Sequence, residues 1–297
     1  MGIDLEVWMS DSLVSIGLPV YNGADYLETA IENLLSQTHS EIELIIADNA
    51  STDRSLEIAQ SAADRDARVR VLPAQENLGA AWNYNRAVES ATGRYFKWAA
   101  HDDLCEPTYV ERCVEALDAD DGLVLAYPKT VIINEHGDRV RDYEDNLDIG
   151  HASASARAAT LMWRVGLCNA VFGVIRTEAL RDTAMIGLFD SSDVSLLAEL
   201  ALRGRFHEVP ERLFLRRRHM GASRKANTDA RSVAAWFGDS AKAGRSRSLL
   251  GGYAAAVRRW DAGPVEKAKA AAVFATVGPL TEIRWHLRNR RRTRAQS

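Results

Sequence analysis

A chain of 297 residues, 46% hydrophobic and near charge balance at −4, can bury a full core in one large domain or slightly more. Its longest apolar run near the C-terminus, Ala270 to Leu280, is too short to span a bilayer and contains Gly278 and Pro279. Cys105, Cys113 and Cys168 lack metal-like spacing, and no basic-plus-apolar leader opens the chain, so the expectation is reduced thiols in a cytoplasmic protein.

From the N-terminus the hydrophobic period alternates between two and 3.6. Val14 to Val20 reads as a continuous apolar strand, and Asp25 to Gln37 as a helix with Tyr26, Leu27, Ala30, Ile31, Leu34 and Leu35 on one face. Ile42 to Ala47 is a second buried strand, ended by the polar run Asp48 to Asp53. A helix over Ser55 to Asp64, a strand over Val69 to Leu72 and a helix over Gly79 to Ser90 follow. Arg94 to Ala100 is another buried strand, Pro107 opens a helix to about Leu117, and Leu123 to Tyr127 is a strand. Near-continuous apolar strands alternating with helices predict an α/β fold, a Rossmann-like, mostly parallel sheet flanked by helices on both faces.

Beyond Lys129 the rhythm changes. Val131 to Ile133 suggests a strand and turn, and the acidic stretch Tyr143 to His151 a loop or lid. Ala154 to Val165 is helical, Ala170 to Ile175 strand-like, Val194 to Leu202 an amphipathic helix, and Leu213 to His219 strand-like again. From Ala226 the chain is rich in Ala and Arg, predicting helices broken at Gly251-Gly252 and Gly263-Pro264. The simplest organisation is a main domain over 1–225 and a helical, Arg-rich C-terminal extension over 226–297. Charge divides in a similar place: residues 1–201 carry 15 basic against 34 acidic side chains, and residues 202–297 carry 22 against 7. The arginine-dense stretch Arg284 to Arg294 suits a solvated tail, the acidic half of the same molecule, or peripheral contact with the anionic inner face of a membrane. No recognition fold accompanies it, so no specific nucleic-acid partner is expected.

The residues with the strongest chemical signal are His101-Asp102-Asp103, at the end of one predicted strand and before the next helix. Adjacent carboxylates at such an edge repel each other and cost desolvation energy unless a cation or water satisfies them. In alternating strand and helix proteins that edge is where ligands bind. A divalent metal holding a phosphorylated substrate explains the pair. The first strand ends in Pro19-Val20-Tyr21-Asn22-Gly23, with neither a G-x-G-x-x-G fingerprint nor a G-x-x-x-x-G-K-S/T loop. That argues against a nicotinamide dehydrogenase and a P-loop NTPase. A nucleotide would instead be held by stacking on Tyr21, by Asp48 accepting a base N–H, and through metal at Asp102. Plainer roles stand beside these. Tyr21 also reads as a half-buried strand-end aromatic, Asp48 as a turn cap, and Asp53 as the N-cap of the next helix.

The series Pro19-Val20-Tyr21-Asn22, Asp48 to Asp53, Asn77-Leu78-Gly79, Asn85, Gly93 and Asp102-Asp103 resembles glycosyltransferase family 2, the inverting enzymes of GT-A fold, over roughly residues 12–220. The resemblance implies a donor nucleotide-sugar site lined by Pro19, Tyr21, Asn22 and Asp48 around base and ribose. Asn77, Gly79 and Asn85 would shape the nucleotide and sugar side, with Asp103 placing the donor. It implies Mg²⁺ or Mn²⁺ at Asp102, an oxygen-rich site that suits either ion. It also implies a catalytic base at Asp193, just before the Val194 to Leu202 helix, although helix N-capping explains an Asp there equally well. His219, after Arg217-Arg218, matches a loop that closes over the diphosphate, with His219 as metal ligand or phosphate donor and Arg218 as a phosphate clamp; a solvated basic loop is the alternative.

The family's Asp-x-Asp-Asp and Glu-Asp patterns are incomplete here, with Ala100 and Ser192 in place of a carboxylate. The expectation is an inverting, metal-dependent transferase moving a sugar from a nucleotide diphosphate, UDP first, to an acceptor hydroxyl in polysaccharide or glycolipid synthesis. A non-catalytic nucleotide-sugar-binding protein and a sugar-phosphate nucleotidyltransferase are the competing readings.

Overall fold

A computed structural model describes residues 12–219 and 249–294, with side chains described as far as residue 279. The expected opening elements are present: β1 (Val14–Val20), α1 (Ala24–Leu35), β2 (Ile42–Asp48), α2 (Ser55–Arg65), β3 (Val69–Pro73), α3 (Ala80–Glu89) and β4 (Tyr95–Trp98). They build a parallel block in the order β3-β2-β1-β4. The chain runs outward from β1 through β2 to β3, then crosses to the other side of β1. That reversal makes the β1/β4 junction a switch point, where a crevice opens beyond the strand ends. β4 pairs with β1 only from Val14 to Gly17, so β1 separates from it before Pro19, the residue that lacks a ladder N–H.

Both faces of the sheet are covered, which is why the strands read as unbroken apolar runs. Side chains of Leu44 and Ile46 join one core with α1 and α2, while Ile45 and Ala47 join the other, as period two dictates. Glu43 ties β2 to β1 and to the turn before β4. Its Oε1 accepts from the Ser15 hydroxyl at 2.5 Å, the Thr92 N–H at 2.6 Å and the Thr92 hydroxyl at 2.7 Å. Burial works against its charge, but these bonds and Arg70 outweigh it and hold the carboxyl below its usual 4.5. A depressed pKa stabilises above the unfolded value and loses that contribution as pH falls through the folded one. Glu43→Gln should therefore cost about 1–2 kcal/mol at neutral pH, with the gap from wild type closing below pH 4.5 in a Tm series.

The second half is mixed. After β5 (Leu104–Cys105) come α4 (Tyr109–Ala119), β6 (Leu123–Ile133) and β7 (Arg139–Tyr143). Then follow α5 (Ala154–Arg164), a 3₁₀ turn at Asn169–Phe172, β8 (Val174–Arg176), α6 (Thr177–Arg181), α7 (Ser192–Arg203) and β9 (Arg205–Arg217). The sheet continues β4-β8-β6-β9-β5, with β8 antiparallel to both neighbours and β9 parallel to β6. β5, which follows β4 closely in sequence, thus ends on the far edge against the end of β9, and the sheet curls.

Several expectations are corrected. Leu123–Tyr127 and Val131–Ile133 form one strand, because irregular register around Pro128 and Lys129 accommodates the proline. The Tyr143 to His151 segment continues from the end of β7 as the expected loop, but it packs down: Leu147 and Ile149 are buried and Ile149 bridges to Phe206. Lys97 is fully buried, with its ammonium on the Trp98 carbonyl at 3.0 Å and over the Tyr109 ring. Trp98 is core, whereas Trp163 is exposed. The three cysteines are free and buried, as expected.

C-terminally, α8 (Leu249–Arg259) runs through Gly251-Gly252 instead of breaking there, and α9 (Pro264–Arg294) starts after the Gly263-Pro264 break. Gly252 meets α7 so closely that a Cβ would lie 2.5 Å from the Ser195 hydroxyl, so glycine here serves helix contact. Leu249, Tyr253, Ala256, Ala270 and Phe274 share one core with α5 and α7. Arg259 donates at 2.7 Å to the buried Glu199 on α7, and Arg259→Ala should lower stability by about 1–2 kcal/mol in denaturant titration. The side chains of the arginine-rich stretch 284–294, and residues 220–248 of the predicted extension, lie outside the described residues.

Candidate active site

The crevice between the ends of β1 and β4 gathers most of the predicted residues. On the β1 side, Tyr21 is 46% exposed at the rim, and Asn22 takes a left-handed φ of 51°. The Asn22 side-chain oxygen accepts the Thr52 N–H at 2.8 Å, while its own N–H donates to the Ser51 hydroxyl. Asp53 lies one residue ahead of the α2 N-cap, Arg54; it accepts the Ser55 and Ala24 N–H groups, and these bonds overcome a burial penalty to keep its carboxyl below the usual range.

Asp48, at the tip of β2, is fully buried. One oxygen accepts the Ser51 N–H at 3.1 Å, and the other, Oδ1, has no hydrogen-bond partner. A turn cap explains the first oxygen only. An orphaned carboxylate oxygen beside the crevice is the acceptor a nucleobase N–H requires. Asn77 accepts from Asn49 and from the Gly79 N–H, shaping the turn in which Gly79 takes φ 88° before α3. Asn85 faces elsewhere: its amide exchanges two hydrogen bonds with the Ile186 backbone, which ties α3 to the loop ahead of α7.

On the β4 side, Asp102 Oδ2 stands 2.9 Å from His219 Nε2, a contact between residues 117 apart in sequence. The Tyr26 ring packs on His219, and the Arg217 guanidinium lies over Tyr26 while donating to the Asp102 carbonyl. Asp103 accepts the Arg217 N–H at 2.8 Å. Burial and the charge of Asp102 push Asp103 up to about 7, against Arg216, the Arg217 N–H and Lys97. Burial lowers His101, with Asp102 opposing. The His101 ring fills the space a Cβ on Gly23 would enter, at 2.6 Å, so the β1 turn must carry glycine to meet it.

Opposite, Asp193 sits in the first turn of α7, where its Oδ1 accepts the Val194 N–H and the Cys168 thiol is hydrogen-bonded to it. Burial raises the pKa of the Tyr84 phenol first, and Asp102, Asp103 and Asp193 all add to the shift. Arg218 is exposed, with its N–H on the Ile133 carbonyl. Sequence reading passed over Tyr26, Tyr84, Arg216 and Arg217. The run Leu213 to His219 gave a signal for the arginines; nothing in the local sequence singled out Tyr26 or Tyr84.

Among the described residues no cluster of three or more His, Cys, Asp or Glu side chains is placed to hold a metal by itself. The Asp102–His219 pair nevertheless suits one. Asp102 Oδ2 and His219 Nε2 are an oxygen and a nitrogen 2.9 Å apart that would hold one divalent ion between them. Remaining positions would fall to phosphate oxygens and water, as with Mg²⁺ bound alongside a substrate phosphate.

Residues 15–183 match the family described as Glycosyl transferase family 2. The putative teichuronic acid biosynthesis glycosyltransferase TuaG of Bacillus subtilis is 39% identical over 103 residues, 35% of this chain and 41% of that protein. An uncharacterized glycosyltransferase of Rickettsia typhi, RT0329, is 38% identical over 106 residues, 36% of this chain and 32% of its own. The chain thus matches less than half the length of these curated relatives. S. aureus TarS 1–349, solved in complex with UDP-GlcNAc, superposes with TM-score 0.63 at 14% identity over 89% of this chain and 72% of that one. Mannosyltransferase PcManGT from Pyrobaculum calidifontis, in complex with GDP-Man and Mn²⁺, superposes with TM-score 0.55 at 17% identity over 90% and 71%. These likenesses establish the GT-A fold. Asp193 and His219 lie beyond the matched family segment.

Proposed function

The chain belongs to glycosyl transferase family 2, and from that premise we propose that it moves one sugar from a nucleotide-diphospho-sugar to an acceptor hydroxyl, with inversion. The observation that supports this reading is the Asp102–His219 pair beyond β4, with the charges of Asp102, Asp103 and Asp193 all acting on the buried Tyr84. In it, the base stacks on Tyr21 beside Pro19 and Asn22 and donates an N–H to the orphaned oxygen of Asp48. Asn77 and Gly79 border the nucleotide, Asn85 acts through the Ile186 loop, and Asp103 orients the donor. Arg218 meets phosphate from the exposed rim.

Mg²⁺ or Mn²⁺ at Asp102 and His219 would supply charge to the departing diphosphate. Asp193 takes the acceptor proton as the oxygen attacks in line from the face opposite the leaving group, which is what inverts the anomeric carbon.

UDP is the proposed carrier, supported by the UDP-GlcNAc complex of TarS, with GDP as the alternative that PcManGT illustrates. The TuaG likeness supports a role in polysaccharide synthesis. The catalytic unit in this reading is 1–225, extended by 226–297. No helix among the described residues is long and apolar enough to cross a membrane. A cytoplasmic location with peripheral contact through the arginine-rich segment is part of the proposal, and truncation after Pro279 should reduce sedimentation with anionic liposomes.

The deciding experiment is a donor screen that follows nucleotide diphosphate release with and without EDTA. Release from one nucleotide-sugar, abolished by chelation and restored by Mn²⁺, is the expected result. Absence of release and binding for every donor would overturn the reading.

A further inference from the structure

Building on the sugar-transfer reading, we propose that Asp145 grips the donor sugar, accepting hydrogen bonds from two neighbouring ring hydroxyls. Asp145 lies just past β7, in the segment leading to α5, and only 4% of its surface is exposed. Neither of its carboxylate oxygens completes a hydrogen bond. Arg216, the Asn169 N–H and the Tyr143 hydroxyl surround it and favour its charge, but burial outweighs them and pushes it up to about 7. The Arg216 Nη1 is committed to the Leu167 carbonyl at 3.1 Å and to the Asn169 side-chain oxygen. A buried carboxyl in this state lowers stability unless a ligand supplies donors. Two acceptor atoms on one carboxylate match the two donors of a vicinal diol.

The location selects the donor sugar. Arg216 acts on both Asp103, at the diphosphate end, and Asp145. Cys168, hydrogen-bonded to Asp193, also feels the charge of Asp145. Arg216 and Cys168 thus link Asp145 to both ends of the proposed site, and in this proposal the transferred sugar is set beside it. Nothing in the Asp102–Asp103 or Asp193 patterns marks this residue.

Asp145→Asn keeps the shape and removes the charge. UDP, UDP-GlcNAc, UDP-glucose and GDP-mannose would be titrated into full-length wild type and variant, with kcat/KM for donor turnover and the unliganded Tm measured in parallel. The expected variant binds UDP within about twofold of wild type, loses at least about tenfold in kcat/KM for the donor, and keeps or raises its Tm. Loss of a buried charge whose desolvation outweighs its neighbours explains the last effect, which a structural role would reverse. Unchanged sugar affinity and turnover would overturn the proposal, and so would a lowered Tm with UDP affinity falling in step. Asp145→Ser provides the same comparison should the amide disturb folding. Wild type binding no nucleotide or nucleotide-sugar would instead overturn the sugar-transfer reading itself.

Discussion

Asp193→Asn should lower donor turnover by about 10²–10⁴-fold while leaving nucleotide binding and Tm near wild type. The substitution separates two roles that the position combines. Asp193 lies in the first turn of α7, where its carboxylate accepts the Val194 N–H at 2.9 Å, so part of its presence is structural. Asparagine satisfies a helix start nearly as well as aspartate, and the helix itself is secured by an almost wholly buried surface from Val194 to Leu202. What asparagine does not do is take a proton. A residue acting only as a cap would therefore show little change in kcat, whereas a base would show most of the loss in kcat and little in donor KM. Nucleotide diphosphate release, set beside a thermal melt of each protein, makes the distinction. A fall of less than tenfold would place the base elsewhere.

Asp102→Ala should weaken Mn²⁺-dependent binding of UDP by at least about 100-fold, near 2.7 kcal/mol, with little effect on metal-free binding. His219→Ala should have a similar consequence, because the two side chains approach within 2.9 Å and would share one ion. Residues that act as a unit are not additive, so the double variant should be scarcely worse than either single one. Calorimetry with and without Mn²⁺ reads all three. The incomplete acidic motif gives this test weight: with Ala100 in place of a carboxylate, the proposed metal site relies on His219 beside Asp102. Equal metal-linked affinity in wild type and Asp102→Ala would remove the metal from the mechanism.

Much of the fold was legible residue by residue. β1 and the start of β2 fall where the apolar runs begin, because a strand buried on both faces leaves little choice of boundary. The site's acidic tips were legible as well: Asp48 and Asp102-Asp103 end apolar strands, where a carboxylate does not belong unless something meets it. Less legible were elements whose stability comes from distant partners. β5 has two residues and exists because β9 pairs with it, and β7 is largely exposed and exists as a ribbon on β6. The burial of Lys97 was not legible either, since nothing local predicts the aromatic rings of Tyr109 and Phe214 beside its ammonium.

By itself, the sequence determined the alternation of strands and helices, the parallel start of the sheet and the positions of its acidic tips. These follow from short-range periodicity, burial and turn chemistry. The curl of the sheet decided the rest. It brought the end of β9 back against the turn after β4, placing His219 on Asp102 and Arg217 on Asp103, and it buried Asp145 beside Arg216. Such contacts depend on register and strand order across more than 100 residues, and no local pattern encodes them.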